Sequence, residues 1–182
     1  LLPYWKIRAS LGQVGNDKFG SNVAYYSEAT YAAGTNYNFG ESPTAASGGL
    51  LEGKAAQIVS WERSTKFNIG MDTRWFEGKL TLNAEYFREN RTNILKTPSR
   101  TNIISGVTSF SPQNLMEVKN QGVEVEVGWD HKIKDFGYRI KANIAYNHNE
   151  IIEQNEQIRK YPYMNRTGGS IGQQFSLIAD GF

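Results

Sequence analysis

Five stretches of the chain alternate apolar and polar residues with a period of two. The fourth of them reads VEVEV over residues 123–127, with valine and glutamate at alternate positions. Because successive side chains of a β-strand point to opposite faces, this period predicts strands with one apolar and one polar face. The predicted strands lie near residues 4–11, 65–75, 79–88, 121–130 and 138–147.

The connections between these strands alternate strictly between short and long. Residues 76–79 and 131–137 form the short ones, whereas the long ones span residues 12–64, 89–120 and 148–182. Compact soluble domains rarely contain structureless loops longer than about 15 residues. Outer-membrane barrels use short periplasmic turns and long extracellular loops as a rule. The pattern therefore favours an all-β, antiparallel transmembrane β-barrel segment with three long extracellular loops.

Aromatic residues mark both ends of the predicted strands, on the same alternation as the apolar residues. Tyr86 and Tyr146 lie at the ends away from the short turns. Four more lie at the ends near those turns, namely Trp5, Trp75, Trp129 and Tyr138. Tryptophan and tyrosine prefer the membrane–water interface, because the ring is apolar while its N–H or O–H stays hydrated. The competing interpretation is a soluble, β-rich binding module that uses tyrosine-rich loops.

Composition excludes several other classes of protein. The chain has 18 Gly and 10 Tyr, which favours strands and loops, and no apolar run approaches the roughly 18 residues of a membrane helix. A net charge of +2 gives no reason to expect a nucleic-acid partner. With no cysteine and with His131 and His148 far apart, we expect no disulfide, no metal site and no cofactor. The first residues lack the features of a signal peptide and already predict a strand, so we expect the natural chain to start earlier.

Six short segments, in their order and spacing, resemble the SusC/RagA family of TonB-linked outer-membrane transporters. They are LGQVGN at 11–16, WERSTKFNIGMD at 61–72, EYFR at 85–88 with TNIL at 92–95, NQGVEVEV at 120–127, GGSIG at 168–172 and ADGF at 179–182. The resemblance implies that residues 1–182 are part of the C-terminal barrel, which would have about 22 strands. Five strands cannot close, since the smallest barrels need about eight, so the remaining barrel strands must come from elsewhere.

The same resemblance implies a function and a set of partners. It implies a bacterial outer-membrane importer of oligosaccharides or peptides rather than an enzyme, and its wall would contact outer-membrane lipid. A SusD-like surface lipoprotein would cover the barrel, and TonB would act through a plug domain that is absent from this chain. These partners are implied by the family, and composition or spacing does not show them.

Charged residues on the polar alternation of the last two predicted strands are candidates for the barrel interior. They are Glu124, Glu126, Asp130, Arg139 and Lys141. They could steer a solute or contact the plug, but the simpler interpretation is cross-strand ion pairing inside a water-filled barrel. Paired carboxylates could also suggest glycoside hydrolysis, yet nothing else in the sequence predicts a shaped cleft. We therefore assign no catalytic residues.

The long connections contain two further candidate sites. The first holds five aromatic residues among Asn, Ser and Gly, which could stack on sugar rings or could pack the loop against itself or against the lipoprotein: Tyr25, Tyr26, Tyr31, Tyr37 and Phe39. The second connection and its borders are basic, with Arg88, Arg91, Lys96, Arg100 and Lys119 against Glu89 and Glu117. A contact with lipopolysaccharide or an acidic ligand is one interpretation. A solvated charged surface is the simpler one.

Overall fold

The computed structural model describes residues 4–18, 30–33, 36–38, 45–47, 50–54, 59–99, 110–176 and 181. Nine strands lie in these ranges. They are β1 (Tyr4–Asn16), β2 (Thr30–Ala33), β3 (Asn36–Asn38), β4 (Ala45–Ser47), β5 (Leu50–Lys54), β6 (Glu62–Trp75), β7 (Leu80–Lys96), β8 (Gln113–Ile133) and β9 (Phe136–Glu153). Two short 3₁₀ turns, Phe76–Gly78 and Pro162–Met164, complete the regular structure of this part of the chain. No helix within it is long and apolar enough to cross a membrane.

The five long strands form one antiparallel sheet in the order β1-β6-β7-β8-β9. The pairing of β1 with β6 runs without a break, and so does that of β6 with β7. Irregularities occur only towards the ends of β7 and β8 that lie away from the short turns. The all-β, antiparallel fold class predicted from the sequence is confirmed. Between the short turns and these irregularities the register is regular, so side-chain alternation is kept across the five strands.

The strands extend well beyond the predicted stretches. β8 has 21 residues and β9 has 18, so both continue past the residues whose alternation predicted them. The added segments contain apolar residues, such as Leu115 and Met116 on β8 and Ile151 and Ile152 on β9, but these are adjacent and do not alternate with polar ones. The period-two signal therefore disappears while backbone pairing continues. Hydrophobic alternation marks the part of each strand that has an apolar face, which is shorter than the strand itself.

Part of the first long connection, predicted as a loop over residues 12–64, is also strand. β2 pairs with β5, and β3 pairs with β4, each pair being a separate antiparallel ladder. These strands have only three to five residues, too few for a periodic signal in the sequence. Tyr31 lies in β2 and Tyr37 in β3, whereas Tyr25, Tyr26 and Phe39 lie outside the described residues.

The two short connections are tight turns at the same end of the sheet. In the first, Glu77 and Gly78 have φ angles of 58° and 91°, in the left-handed region. In the second, Lys134 has a φ angle of 55° between the end of β8 and the start of β9. Both turns follow strand residues without an intervening loop, which keeps the neighbouring strands in register down to their ends.

One face of this sheet is apolar over part of its height, and we call that part the apolar band. Its residues are Trp5, Ile7, Ala9, Leu11, Phe67, Ile69, Met71, Thr73, Trp75, Leu80, Leu82, Ala84, Tyr86, Val123, Val125, Val127, Trp129, Tyr138, Ile140, Ala142, Ile144 and Tyr146. Even Ile69, on a strand with neighbours on both sides, is 42% exposed. The only buried hydrophobic residues in the described part of the chain are Val118 and Ile151, which lie outside the band. The band therefore does not cover a core among these residues.

Candidate functional site

The charged residues predicted on β8 and β9 lie together on the face opposite the apolar band, which we call the polar face. Asp130 is directly across from Arg139, whose Nε donates a hydrogen bond to the Asp130 carboxylate. The Nζ of Lys141 lies 3.7 Å from Oε1 of Glu126 on the neighbouring strand. Glu124 lies on the same face, between β7 and β9. The two ion pairs therefore join neighbouring strands, and the side chains that form them are exposed.

A second ion-pair network on the polar face was not found from the sequence. Nε of Arg8 lies 3.1 Å from Oδ2 of Asp72, and its Nη1 lies 3.2 Å from Oε2 of Glu85. To reach Glu85, the Arg8 side chain crosses β6 at Gly70, where a Cβ would lie 3.0 Å from Nη2 of Arg8. Glu85 is opposite Glu124, so the arginine offsets part of the repulsion between two carboxylates.

Further from the short turns, the polar face is held by a cluster around Glu89. Ser64 Oγ donates a hydrogen bond of 2.6 Å to Glu89 Oε1, and Arg91 Nε donates one of 2.9 Å to the same oxygen. Lys66 Nζ lies 3.8 Å from that oxygen, and Arg91 Nη1 lies 3.8 Å from Glu62 Oε1. Most of these residues lie in the strand segments that extend beyond the predicted ends. Their pairing joins neighbouring strands in segments that lack the period-two pattern of the apolar band.

The apolar band ends in a row of rings beside the short turns. The ring centroids of Trp5 and Trp75 are 5.9 Å apart, in an edge-to-face arrangement. On the next strands, His131 lies 6.3 Å from Trp129 and 5.8 Å from Tyr138. Such rings contribute apolar area and present N–H and O–H groups at the same height. The row is the boundary between the band and the turn end of the sheet.

At the other end, the band stops at two tyrosines that share one register row. Tyr86 on β7 and Tyr146 on β9 are both paired with Val123 on β8. Two residues further along β7 and β9, the same face carries Arg88 and His148. The apolar face thus has an aromatic row at each end, and its polarity changes within one or two register rows.

The segment after β9 folds back onto the last residues of that strand, at the end away from the short turns. The backbone N–H of Gly168 donates to the carbonyl of Ile151 over 2.8 Å, and the N–H of Ile151 donates to Gly169 over 2.9 Å. The carboxylate of Glu156 accepts hydrogen bonds from the backbone N–H groups of Arg166 and Thr167, each within about 3.0 Å. One carboxylate therefore connects the two arms of this segment.

This folded-back segment presents an aromatic pair that the sequence interpretation missed. The rings of Tyr161 and Tyr163 stack with centroids 5.5 Å apart and planes 9° apart, and Nζ of Lys160 lies 5.1 Å from the Tyr161 ring. Tyr163 is 72% exposed. The sequence RKYPYM, with proline between two tyrosines after two cations, is the signal that could have pointed to it. An exposed ring beside a cation can stack on a flat ligand.

The described residues offer surfaces for binding rather than a metal centre. Among them, no group of three or more His, Cys, Asp or Glu side chains is placed to hold a metal ion. Buried Nδ1 of His131 has no hydrogen-bond partner among the described residues, but its ring contacts Trp129 and Tyr138 on the apolar face, away from the carboxylates of the polar face. What these residues provide is a face with paired charges, an exposed apolar face and an aromatic segment after β9.

The model of one protein family, described as TonB dependent receptor-like, beta-barrel, matches residues 1–179. The chain belongs to this family. The match covers both faces of the sheet and the folded-back segment, so the family assignment applies to every surface described above. As a segment of a TonB-dependent receptor barrel, the sheet has an apolar face that need not cover a core of its own.

Individual relatives agree with the family assignment. The TonB-dependent receptor SusC of Bacteroides thetaiotaomicron is 29% identical over 157 residues, and the TonB-dependent receptor P3 of Formosa agariphila is 27% identical over 152. These matches cover 80% and 82% of the chain. The structure of the RagAB peptide importer in its open-open state matches 88% of the chain with a TM-score of 0.63 and 26% identity.

The chain corresponds to only a small part of each of these proteins. It spans 14% of the length of both curated relatives and 17% of the matched importer chain. The resemblance to the SusC/RagA family drawn from the sequence is confirmed at the level of a segment of a TonB-dependent receptor barrel.

Proposed function

We propose that this chain forms wall strands and extracellular loops of a bacterial outer-membrane TonB-dependent transporter that imports oligosaccharides or peptides. The observation that carries the proposal is the exposed apolar band, bounded by aromatic rows, on a sheet whose other face carries ion-paired charges. A water-filled barrel in a bilayer requires this combination of faces. The match to the TonB-dependent receptor barrel family supports a transport role.

The height of the band fits a membrane. On β9 it runs from Tyr138 to Tyr146, which are eight residues apart along the strand. At a rise of about 3.4 Å per residue this is about 27 Å, or about 21 Å along the membrane normal for strands tilted by about 40°. Outer-membrane barrels have an outward apolar band about 25 Å tall. In this arrangement Ile69, Val125 and Ile144 contact hydrocarbon.

The polar face then lines the barrel interior. Glu124, Glu126, Asp130, Arg139 and Lys141 would form part of a charged inner wall, with Arg8, Asp72 and Glu85 beside them. Because most of these charges are paired across strands, their first role is to keep the wall in register. Their second is to offer fixed charges to a solute or to the plug domain through which TonB would act.

The outer segments serve capture. The tyrosines predicted in the first connection, of which Tyr31 and Tyr37 lie in short paired strands, would contact the solute or a SusD-like lipoprotein. The stacked pair Tyr161 and Tyr163 would lie on the same extracellular side, because it follows the end of β9 that is away from the short turns. Both sugar rings and peptide side chains stack on such rings. The role is transport, and we infer no catalytic step.

The orientation can be tested with single cysteines, since the chain contains none. In the complete receptor that includes these strands, Tyr163→Cys lies in an exposed outer segment and Asp135→Cys in a short turn. A membrane-impermeant maleimide added to whole cells should label the first variant and not the second, with the unmodified receptor as background. Labelling at Asp135→Cys in intact cells would contradict the orientation.

Uptake is the direct test of the transport class. Cells carrying the complete receptor should accumulate a labelled oligosaccharide or oligopeptide, and this accumulation should stop without TonB or in the presence of a protonophore. If neither kind of solute enters, the import proposal fails. A monodisperse, cooperatively folded chain in water without detergent would instead support the soluble binding module.

A further inference from the structure

Three cations lie on the outward face of the sheet, just beyond the apolar band and away from the short turns. Arg88 is paired with Phe67, Lys119 with Asn90, and Arg63 with Thr92. All three have the same alternation as the band residues, because the pairings around them are regular. We call these three residues the basic belt. The belt lies outside the barrel wall, on the side opposite the ion-paired polar face.

The belt differs from the polar face in that its cations form no ion pairs with described residues. On the polar face, Arg8, Lys66, Arg91, Arg139 and Lys141 all form ion pairs with carboxylates. Across the described residues, none of the three belt cations forms an ion pair: these side chains are exposed or half-buried.

Two carboxylates lie beside Lys119 on the alternation of the belt, Glu150 on β9 and Glu117 on β8, and neither forms an ion pair with it among the described residues. Glu150 lies opposite Lys119 in the register. Arg88 donates one hydrogen bond of 3.3 Å to Asn90 Oδ1, which leaves four of its five N–H donors for a ligand. An exposed set of unpaired cations at this height attracts an anion.

The spacing of the belt suits a headgroup with more than one phosphate. Arg88 and Lys119 lie on adjacent strands, two residues out of register, so their Cα atoms are about 8 Å apart. Arg63 extends the set towards β1, at about 12–14 Å from the other two. Gln121 and Asn90 lie on the same face among these cations and can donate hydrogen bonds to sugar or phosphate oxygens.

We propose that the basic belt binds the phosphorylated sugar headgroup of an outer-leaflet lipid, whose acyl chains lie along the apolar band below it. This inference rests on the proposed membrane location and orientation. The occupant is a lipid and not an imported solute, because the belt faces away from the barrel interior and continues directly into the band at Phe67 and Tyr86. Basic residues next to an apolar membrane segment bind anionic headgroups through charge.

The test compares two triple variants of the complete receptor in phosphatidylcholine nanodiscs containing diphosphoryl lipid A. One carries Arg63→Gln, Arg88→Gln and Lys119→Gln. The matched control carries Lys79→Gln, Lys132→Gln and Lys134→Gln, which remove the same charge at the short-turn end. We expect the belt variant to bind lipid A about a hundredfold more weakly by native mass spectrometry, and the control to match the unmodified receptor.

A second measurement keeps the proposal testable if the belt variant does not insert. The unmodified receptor should bind lipid A freed of both phosphates about as weakly as the belt variant binds the diphosphorylated form. Equal affinity for both lipids, or for belt variant and parent, would overturn the proposal. So would a belt variant that keeps lipid A but loses uptake of an acidic solute. These outcomes leave the cysteine-labelling result unchanged, so the two proposals can fail separately.

Discussion

Gly122 on β8 lies between two close neighbours, one on each adjacent strand. The absence of a side chain at this position leaves room for both. A Cβ there would lie 2.5 Å from the carbonyl oxygen of Tyr146 and 2.6 Å from the ring of Phe87. The first of these atoms belongs to the backbone of the next strand and cannot rotate away. The Phe87 ring occupies the space that a side chain at Gly122 would need, as the Arg8 guanidinium does at Gly70 on β6.

The glycine at 122 should therefore be more sensitive to substitution than a glycine with open space around it. We expect Gly122→Ala to lower the free energy of unfolding by about 1–3 kcal/mol, because it overpacks the interface between β8 and β9. Gly12→Ala on β1 is the matched control, since no atom lies within 4 Å of a Cβ at that position. Urea unfolding of the complete receptor in detergent measures both, and similar losses for the two variants would refute the packing argument.

The folded-back segment after β9 depends on the ionised form of Glu156. Burial by itself raises the pKa of this carboxyl. Hydrogen bonds from the backbone N–H groups of Thr167 and Arg166, and then from the Thr167 hydroxyl and the Gln154 amide, outweigh burial and lower the pKa below its ordinary value. Because the folded-state pKa is the lower one, the stabilisation is complete above the ordinary value of about 4.3 and is lost as the pH falls through the folded-state pKa.

Hydrogen exchange of the Arg166 and Thr167 amides should report this loss. After correction for intrinsic rates, we expect their protection to fall about tenfold or more as the pH drops below 4, since hydrogen bonds to a charged group contribute about 1.5–3 kcal/mol. Glu156→Gln should lower protection already at neutral pH and remove most of its pH dependence. Glu117→Gln changes an exposed carboxylate on β8 and should leave both amides as they were. Unchanged protection in Glu156→Gln would rule out this role for the carboxylate.

An element or contact could be predicted where residues close together in the sequence determine it. The alternation at residues 123–127 shows that Glu124 and Glu126 share a face, and the short turn brings Asp130 and Arg139 together. The reach of Arg8 to Glu85 depends on the register of three strands, which no local pattern contains.

The strand ends were misplaced for the same reason. The segment of β7 that begins at Glu89 is held by a residue 25 positions away, Ser64, and its apolar residues do not alternate with polar ones. Tyr161 and Tyr163 are two positions apart and stack locally, but the segment that carries them is held to Glu156 at Arg166 and Thr167, beyond the stacked pair.

For the whole molecule, the proposed role in a membrane depends on whether each face of the sheet contacts lipid or water. The two faces differ in chemistry, and both are exposed in the described residues. If the apolar band meets lipid and the polar face meets water, a charge should be costly on one face and harmless on the other at the same height. Adjacent residues of a strand point to opposite faces, so the comparison needs only neighbouring positions.

Ile144 and Asn143 on β9 provide this pair. Ile144 is 72% exposed in the middle of the apolar band, and Asn143 lies on the polar face opposite Glu126. We expect Ile144→Lys to destabilise the complete receptor by about 2–4 kcal/mol in liposomes, because the ammonium enters hydrocarbon. Tyr146→Lys, at the edge of the band, should cost about 0–1 kcal/mol. Asn143→Lys should be close to neutral, since the new cation faces water near a carboxylate. Equal costs at positions 143 and 144, measured by reversible unfolding in liposomes, would mean that the band does not contact lipid.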